Sequence, residues 1–277
     1  MKEKSIITDI FLETSRISKQ KNKSLNITDY NYQIKKTNFE INENNVTDYV
    51  SLFDIKDLML FDEKIKNYLT MLLKNEIKRF IKLKNIKLQS ILVVGFGNKN
   101  YMADCLGDKV VSKIFATRQL VSSNVLSSKK FNKVSSYSLS VLGQSGIESA
   151  DVVKKLCEIT RPQLVIAVDT FVSSKLSRLG KSLQISTKGF NPGAGVGNTR
   201  KLVDNVSLNS QVFTIGVPLL ISASTIADKA TKNLNDLVVM DKEIEKYIKF
   251  YSVIISNAIN LAVNKNVSLK EILQLIY

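Results

Sequence analysis

Apolar positions divide the chain into a polar leader, one long amphipathic segment and a series of short stretches of strand length, several of them apolar throughout. Residues 1–48 are rich in Asn, Lys and Thr and alternate only locally, as in Tyr30-Asn31-Tyr32-Gln33-Ile34. That pattern predicts an irregular arm with two or three edge strands. Over 62–83, Ile65, Leu69, Leu72, Leu73, Ile77, Phe80 and Ile81 recur at helical spacing and predict an amphipathic helix. Beyond it, strand patterns (the apolar runs 90–94, 164–168 and 212–217 and the more polar 136–142 and 182–186) alternate with helical patterns over 104–121, 146–160, 224–237 and 242–263. Asp104 falls at the N-cap of the first of these helices. Ser268 opens a last short helix, with Glu271 spaced for a capping box.

Apolar strands alternating with helices predict an α/β fold: a doubly wound, mostly parallel sheet with helices on both faces. With no internal repeat and no low-complexity linker, the simplest partition is an N-terminal arm, residues 1–52, carrying edge strands, and one α/β domain, residues 53–277. In such sheets, sites form outside the carboxyl ends of the strands. Asp104 follows the 90–94 strand by one loop and Asp169 follows 164–168 directly, which places both at one edge of the sheet.

Composition removes several chemistries. The chain has no histidine, which excludes Ser-His-Asp and Cys-His catalysis and zinc sites of the H-E-x-x-H type within it. Its two cysteines, Cys105 and Cys157, form no cluster, so neither a disulfide framework nor a structural zinc is expected, and Cys105 reads as a small buried apolar residue. No metal and no cofactor is expected. The net charge of +15 comes from scattered lysines, in the Lys-, Asn- and Ile-rich composition of an AT-rich gene, which argues against direct nucleic-acid binding. No apolar run has the length of a membrane span and the charged N-terminus lacks a secretory pattern, so a cytoplasmic protein is expected.

Three segments carry candidate chemistry. Asp104 and Asp169 would suit a proton-sharing carboxylate pair that works on water, although helix capping and a strand-end turn explain them from pattern alone. Gly193, Gly195 and Gly197 in FNPGAGVGNTRK offer backbone N–H groups to an anion or peptide, or equally a tight loop needing positive φ. Glu148, after Gly143 and Gly146, sits where a helix dipole favours a carboxylate, and a substrate-side role is the alternative.

Taken in order, these segments resemble the germination proteases, endopeptidases of spore-forming bacteria. The likeness rests on Val93-Val94-Gly95-Phe96-Gly97-Asn98 with Asp104-Cys105-Leu106-Gly107, then Ala116-Thr117-Arg118, the turn from Gly143 to Glu148, and Ile166-Ala167-Val168-Asp169. Gln184-Ile185-Ser186, the loop from Asn191 to Asn198 and Ile215-Gly216-Val217-Pro218 complete it. Thr8-Asp9 with Leu12-Glu13, and Tyr49-Val50-Ser51-Leu52, add weaker matches.

The resemblance implies an atypical aspartic endopeptidase made as a self-processing zymogen and assembled as a homotetramer, with a fold related to hydrogenase-maturation peptidases. It implies degradation of small acid-soluble spore proteins at germination, in the forespore or spore core. By the same likeness Asp104 and Asp169 are catalytic, Asn98, Glu148, Gly193, Gly195 and Gly197 support substrate, and the propeptide is cut between Asp9 and Ile10. The chain departs from the pattern at Met102-Ala103, Asp108, Asn191 and Ala194, and lacks a segment that members carry before the last helix, as a divergent, C-terminally shortened member would. The alternatives are a metal-dependent peptidase of the maturation type, whose histidine ligand is missing here, and a degenerate, non-catalytic relative that holds spore proteins or DNA.

Overall fold

The computed structural model describes residues 8–14, 22–43, 45–56, 61–193, 200–226 and 237–276. Nine strands among them form one sheet: β1 (Asn22–Tyr30), β2 (Ile34–Glu43), β3 (Val46–Ile55), β4 (Ser90–Gly95), β5 (Lys133–Ser138), β6 (Leu164–Ser173), β7 (Ser182–Ser186), β8 (Gln211–Ser222) and β9 (Val238–Val239). Their order is β1-β2-β3-β7-β8-β6-β4-β5, with β9 on β8. The helices are α1 (Phe11–Thr14), α2 (Glu63–Leu83), α3 (Leu106–Val111), α4 (Arg118–Ser122), α5 (Leu142–Ser145), α6 (Ser149–Thr160), α7 (Asn205–Leu208), α8 (Ala223–Ile226), α9 (Ile244–Val263) and α10 (Leu269–Ile276). Among the described residues no helix is long and apolar enough to cross a membrane.

The α/β expectation is met most directly in the half built from β5, β4, β6 and β8, whose ladders are all parallel. Side chains alternate between two buried faces there. Ile91, Val93, Ile166, Val168, Phe213 and Ile215 pack with α2, α3 and α9. Leu92, Val94, Val165, Ala167 and Val212 pack with Val153 and Cys157 of α6. Burial on both faces is why these strands read as unbroken apolar runs. The other half is antiparallel: β7 joins β8, β3 joins β7, and β2 and β1 follow. The two or three edge strands expected of the N-terminal region are thus present as three, β1 to β3, which extend the main sheet at its edge.

Helix α2 begins where the pattern places it, with Asp62 accepting from the N–H groups of Lys64 (2.6 Å) and Ile65 (3.4 Å). The capping box at α10 also forms: Ser268 Oγ accepts from Glu271 N at 3.2 Å and Glu271 Oε2 from Ser268 N at 2.8 Å. The helix expected over 104–121 is broken into α3 and α4. The Asn260 amide of α9 accepts from Phe115 N (3.0 Å) and donates to Lys113 O (3.0 Å), taking the backbone groups that would continue the helix. Strand β5 starts at Lys133 rather than 136, because Lys133 N donates to Gln89 O and aligns it with β4. Strand β6 runs to Ser173, five residues past the expected end, so Asp169 lies inside a strand and not after one. Of the helix expected over 224–237, residues 227–236 lie outside the described residues.

One polar cluster ties the antiparallel half to α2. Glu76, 2 % exposed, pairs with Lys36 of β2 and accepts from Ser51 Oγ of β3 and from Arg79 Nε at 2.9 Å. Those bonds outweigh the penalty of burial and hold its carboxyl below the usual range. Removing one member of a buried pair leaves the other charge uncompensated. Glu76→Ala is therefore expected to cost about 3–5 kcal/mol in urea unfolding. The double variant Lys36→Met/Glu76→Leu should lose clearly less.

Candidate active site

Strand β4 ends at Gly95, and three glycines let the following loop fold back beneath it. A Cβ on Gly107 would stand 2.4 Å from Phe96 O and 2.7 Å from Val168 O, so α3 starts pressed against the end of β4 and the middle of β6. Gly97 has φ +112°, and a Cβ there would meet Asp104 O at 2.0 Å. Only glycine adopts that conformation at that distance. The spacing of Gly95, Gly97 and Gly107 around Asp104 is thus a packing requirement, and its result is a fixed carboxyl.

Asp104 does not cap a helix. Its Oδ2 accepts from Asn98 N at 2.8 Å, back across the loop. Asn98 is braced in turn, its Oδ1 accepting from Gln144 Nε2 (2.7 Å) and Asn100 N (3.0 Å). Asp169 reaches the same place from β6. A cavity of about 310 Å3 is lined by Asp104, Asp169, Asp9, Asn98, Gly193 and Arg200, with Phe96, Tyr101 and Val172 among the apolar walls. The two aspartates remote in sequence therefore share one cavity, as the positions of their strands predict, and a third joins them from the N-terminal segment.

Their environments differ. Asp169 is 6 % exposed, and among the described residues Oδ1 accepts from Thr170 N alone, at 2.8 Å. Burial, then the negative charges of Asp104 and Asp9, push its carboxyl well above the ordinary range. Burial also raises Asp104, but the Asn98 N–H and the positive charge of Arg200 oppose the rise. Both carboxyls are raised, Asp169 the more strongly, and a pair of carboxyls in one cavity with unequal surroundings suits the sharing of one proton. Among the described residues no group of three or more Cys, Asp or Glu side chains is placed to hold a metal ion.

The N-terminal segment lies across this site. Asp9 pairs with Val172 of β6 in both directions: Asp9 N donates to Val172 O (2.9 Å) and Val172 N to Asp9 Oδ2 (2.8 Å). Ile10 is fully buried against Leu52 and Phe171, and Phe11 meets Phe39 of β2 edge to face, centroids 5.2 Å apart. Glu13, 4 % exposed, accepts from Thr8 Oγ1 (2.6 Å), Ser173 Oγ (2.8 Å), Ser174 N (2.6 Å), Ser174 Oγ (2.7 Å) and Arg178 Nη1 (2.8 Å). Those bonds more than offset its burial and keep it ionised.

The remaining expected site residues divide. Gly193 lines the cavity with φ +73°, while Gly195 and Gly197 lie outside the described residues. Glu148 stands at the N-cap of α6 without a capping hydrogen bond and is not among the residues lining the cavity. Cys105 and Cys157 are both buried free thiols. Sequence reasoning missed Arg200, which follows the glycine loop, and Gln184 of β7, 4 % exposed. The Gln184 Nε2 donates to Asp9 O at 3.2 Å and its Oε1 accepts from Phe11 N at 2.9 Å. A signal was present: in Ser182-Leu183-Gln184-Ile185-Ser186 the polar residues occupy alternate positions of a buried strand.

A family model described as germination protease matches residues 3–235, a span that includes Asp9, Asp104, Asp169 and Gln184. The germination protease of Caldanaerobacter subterraneus subsp. tengcongensis is 34 % identical over 271 residues, covering 84 % of this chain and 83 % of the relative. That of Clostridium perfringens strain SM101 is 33 % identical over 264 residues, covering 81 % and 80 %. That of Bacillus subtilis strain 168 is 35 % identical over 170 residues, covering 60 % and 46 %.

The raised carboxyl of Asp169 has a stability signature with a definite sign. Unfolded, it would lose its proton near pH ~3.9; folded, it keeps the proton to higher pH, so the native state binds more protons and stability falls as pH rises through that window. Asp169→Asn removes this loss. The variant should melt at a higher temperature than the unchanged protein at pH 7, and the difference should close as pH is lowered toward 4. Equal melting temperatures at pH 7 would contradict the burial argument.

Proposed function

The chain belongs to the germination protease family, and from that premise we propose that it is an aspartic endopeptidase in which Asp104 and Asp169 act as a pair on one water molecule. The observation that carries this reading is the shared cavity, in which one carboxyl is strongly favoured as the acid and the other is supported as the base.

Asp104 removes a proton from water as the oxygen adds to the peptide carbonyl carbon, and Asp169 gives its proton to the carbonyl oxygen. On collapse the C–N bond breaks, Asp104 returns its proton to the departing nitrogen and Asp169 recovers one from the diol. Atoms and protons balance, with one water consumed and neither histidine nor metal called on. Asn98 holds Asp104 through its backbone N–H, and Gly193 and Arg200 border the space that a peptide would fill.

The N-terminal segment fits the role of a propeptide cut between Asp9 and Ile10. It borders the site and contributes a third carboxylate to its lining, which a docked inhibitory segment would do. The substrates in this reading are small acid-soluble spore proteins, degraded at germination in the spore core by a homotetramer. Glu148 and the glycines of the 193–197 loop keep a supporting role on the substrate side.

Incubation with a purified small acid-soluble spore protein tests the mechanism. Asp104→Asn and Asp169→Asn should each slow cleavage by about 10³-fold or more, the scale on which loss of one member of a catalytic unit acts. Activity should survive strong chelator, whereas its loss would favour the metal-dependent alternative. The rate should fall on the acid side as Asp104 takes up a proton and on the alkaline side as Asp169 loses its own. Wild-type rates in both variants would end the proposal.

A further inference from the structure

The strand register sets four side-chain positions in one row across the sheet. Leu52 of β3 is opposite Gln184 of β7, Gln184 is opposite Gly216 of β8, and Gly216 is opposite Asp169 of β6. Positions in register share a face, here the one opposite α2 and α9. Gln184 and Asp169 therefore flank a residue without a side chain, roughly 10 Å apart at their Cα atoms for two strand spacings. A Cβ on Gly216 would collide with the Phe171 ring at 2.4 Å, and Phe171 packs with the buried Ile10. The row is arranged around the peptide that joins Asp9 to Ile10.

Both polar groups of that peptide have partners. Its carbonyl oxygen, Asp9 O, accepts from Gln184 Nε2 at 3.2 Å, and its N–H, on Ile10, donates to Thr8 Oγ1 at 3.1 Å. The orientation of the Gln184 amide is fixed by chemistry: Phe11 N is a donor, so the end facing it must be Oε1, and Nε2 is left for the carbonyl. The side chain is buried in a central strand bonded on both sides, so it is set in place before any reaction begins.

We propose that Gln184 is a catalytic residue of this site: its Nε2–H stabilises the negative charge that develops on the scissile carbonyl oxygen when water adds, in self-cleavage and in cleavage of substrates alike. The inference rests on the aspartate-pair reading and adds to it. Asp169 supplies the proton to the carbonyl oxygen, and Gln184 supplies a fixed dipole to the same atom from the opposite end of the row. Donors of this kind strengthen as the oxyanion forms and act mainly on kcat. A purely structural Gln184 would instead be an anchor for the N-terminal segment.

Two full-length variants separate the roles. Gln184→Glu keeps the acceptor for Phe11 N but has no N–H to give the carbonyl, and Gln184→Leu loses both. The first-order rate of cleavage at Asp9–Ile10 should fall by about 10²–10³-fold in each, the scale for removal of one such donor. Docking is read separately in an Asp104→Asn background that leaves the chain uncut. There Gln184→Glu should preserve protection of the Phe11 amide from hydrogen exchange, while Gln184→Leu should lose it. Self-cleavage at the wild-type rate in either variant would overturn the proposal, as would a slowing confined to the variant that loses Phe11 protection. If Asp104→Asn alone also cut itself at the wild-type rate, the fault would lie with the aspartate pair and not with Gln184.

Discussion

A carboxyl group buried in the interior of a sheet strand is the constraint on which this molecule turns. Asp169 sits in a ten-residue strand buried at every position and receives a single backbone N–H. Two further carboxylates line the same cavity. Water would stabilise three charges in such a space, but little water reaches the buried Asp169, so its carboxyl keeps its proton to higher pH than an exposed one would. The surroundings can be read as accommodations to that fact. Asp104 is kept at the mouth by a backbone donor and a nearby arginine, and Gly95, Gly97 and Gly107 let its loop come close.

The two halves of the sheet contribute different things. The parallel half supplies the acids, one from the end of β4 and one from within β6. The N-terminal segment starts against Val172 of β6 and then crosses the antiparallel half, past Gln184 of β7 to Phe39 of β2. Register aligns the halves, and Gly216, on the strand between, keeps the line clear of a side chain. The Glu76 cluster fixes this second half to α2 and so holds the row from behind.

Much of this was legible in the sequence because burial leaves a period. The α2 helix, the buried strands β4 and β7, the first half of β8 and the last capping box follow from spacing alone, and strand ends place the two aspartates at one edge. What was not legible depended on partners distant in the chain. Asn260 ends α3 from about 150 residues away, and no local pattern around Lys113 announces it. The ends of β5 and β6 are set by neighbouring strands, so Asp169 was expected after its strand rather than inside it. The role of Gln184 is a matter of register between strands, which a single chain's periodicity does not contain. Arg200 acts through space on a carboxylate nearly a hundred positions earlier.

The anchoring of Glu13 gives a cut at Asp9–Ile10 a direction in time. The anchor lies downstream of the bond, and four of its five donors belong to residues 173–178. Hydrolysis would leave the new amine end clasped in place, while Thr8 and Asp9 would fall on the other side of the cut, their own hydrogen bonds no longer backed by a continuous chain. Rejoining would require the lost fragment to find its way back from dilute solution against the entropy of its release. If the Asp9–Ile10 peptide is cut as proposed, the latch would work as a ratchet that lets one half go, keeps the other and makes a single hydrolytic event a one-way passage.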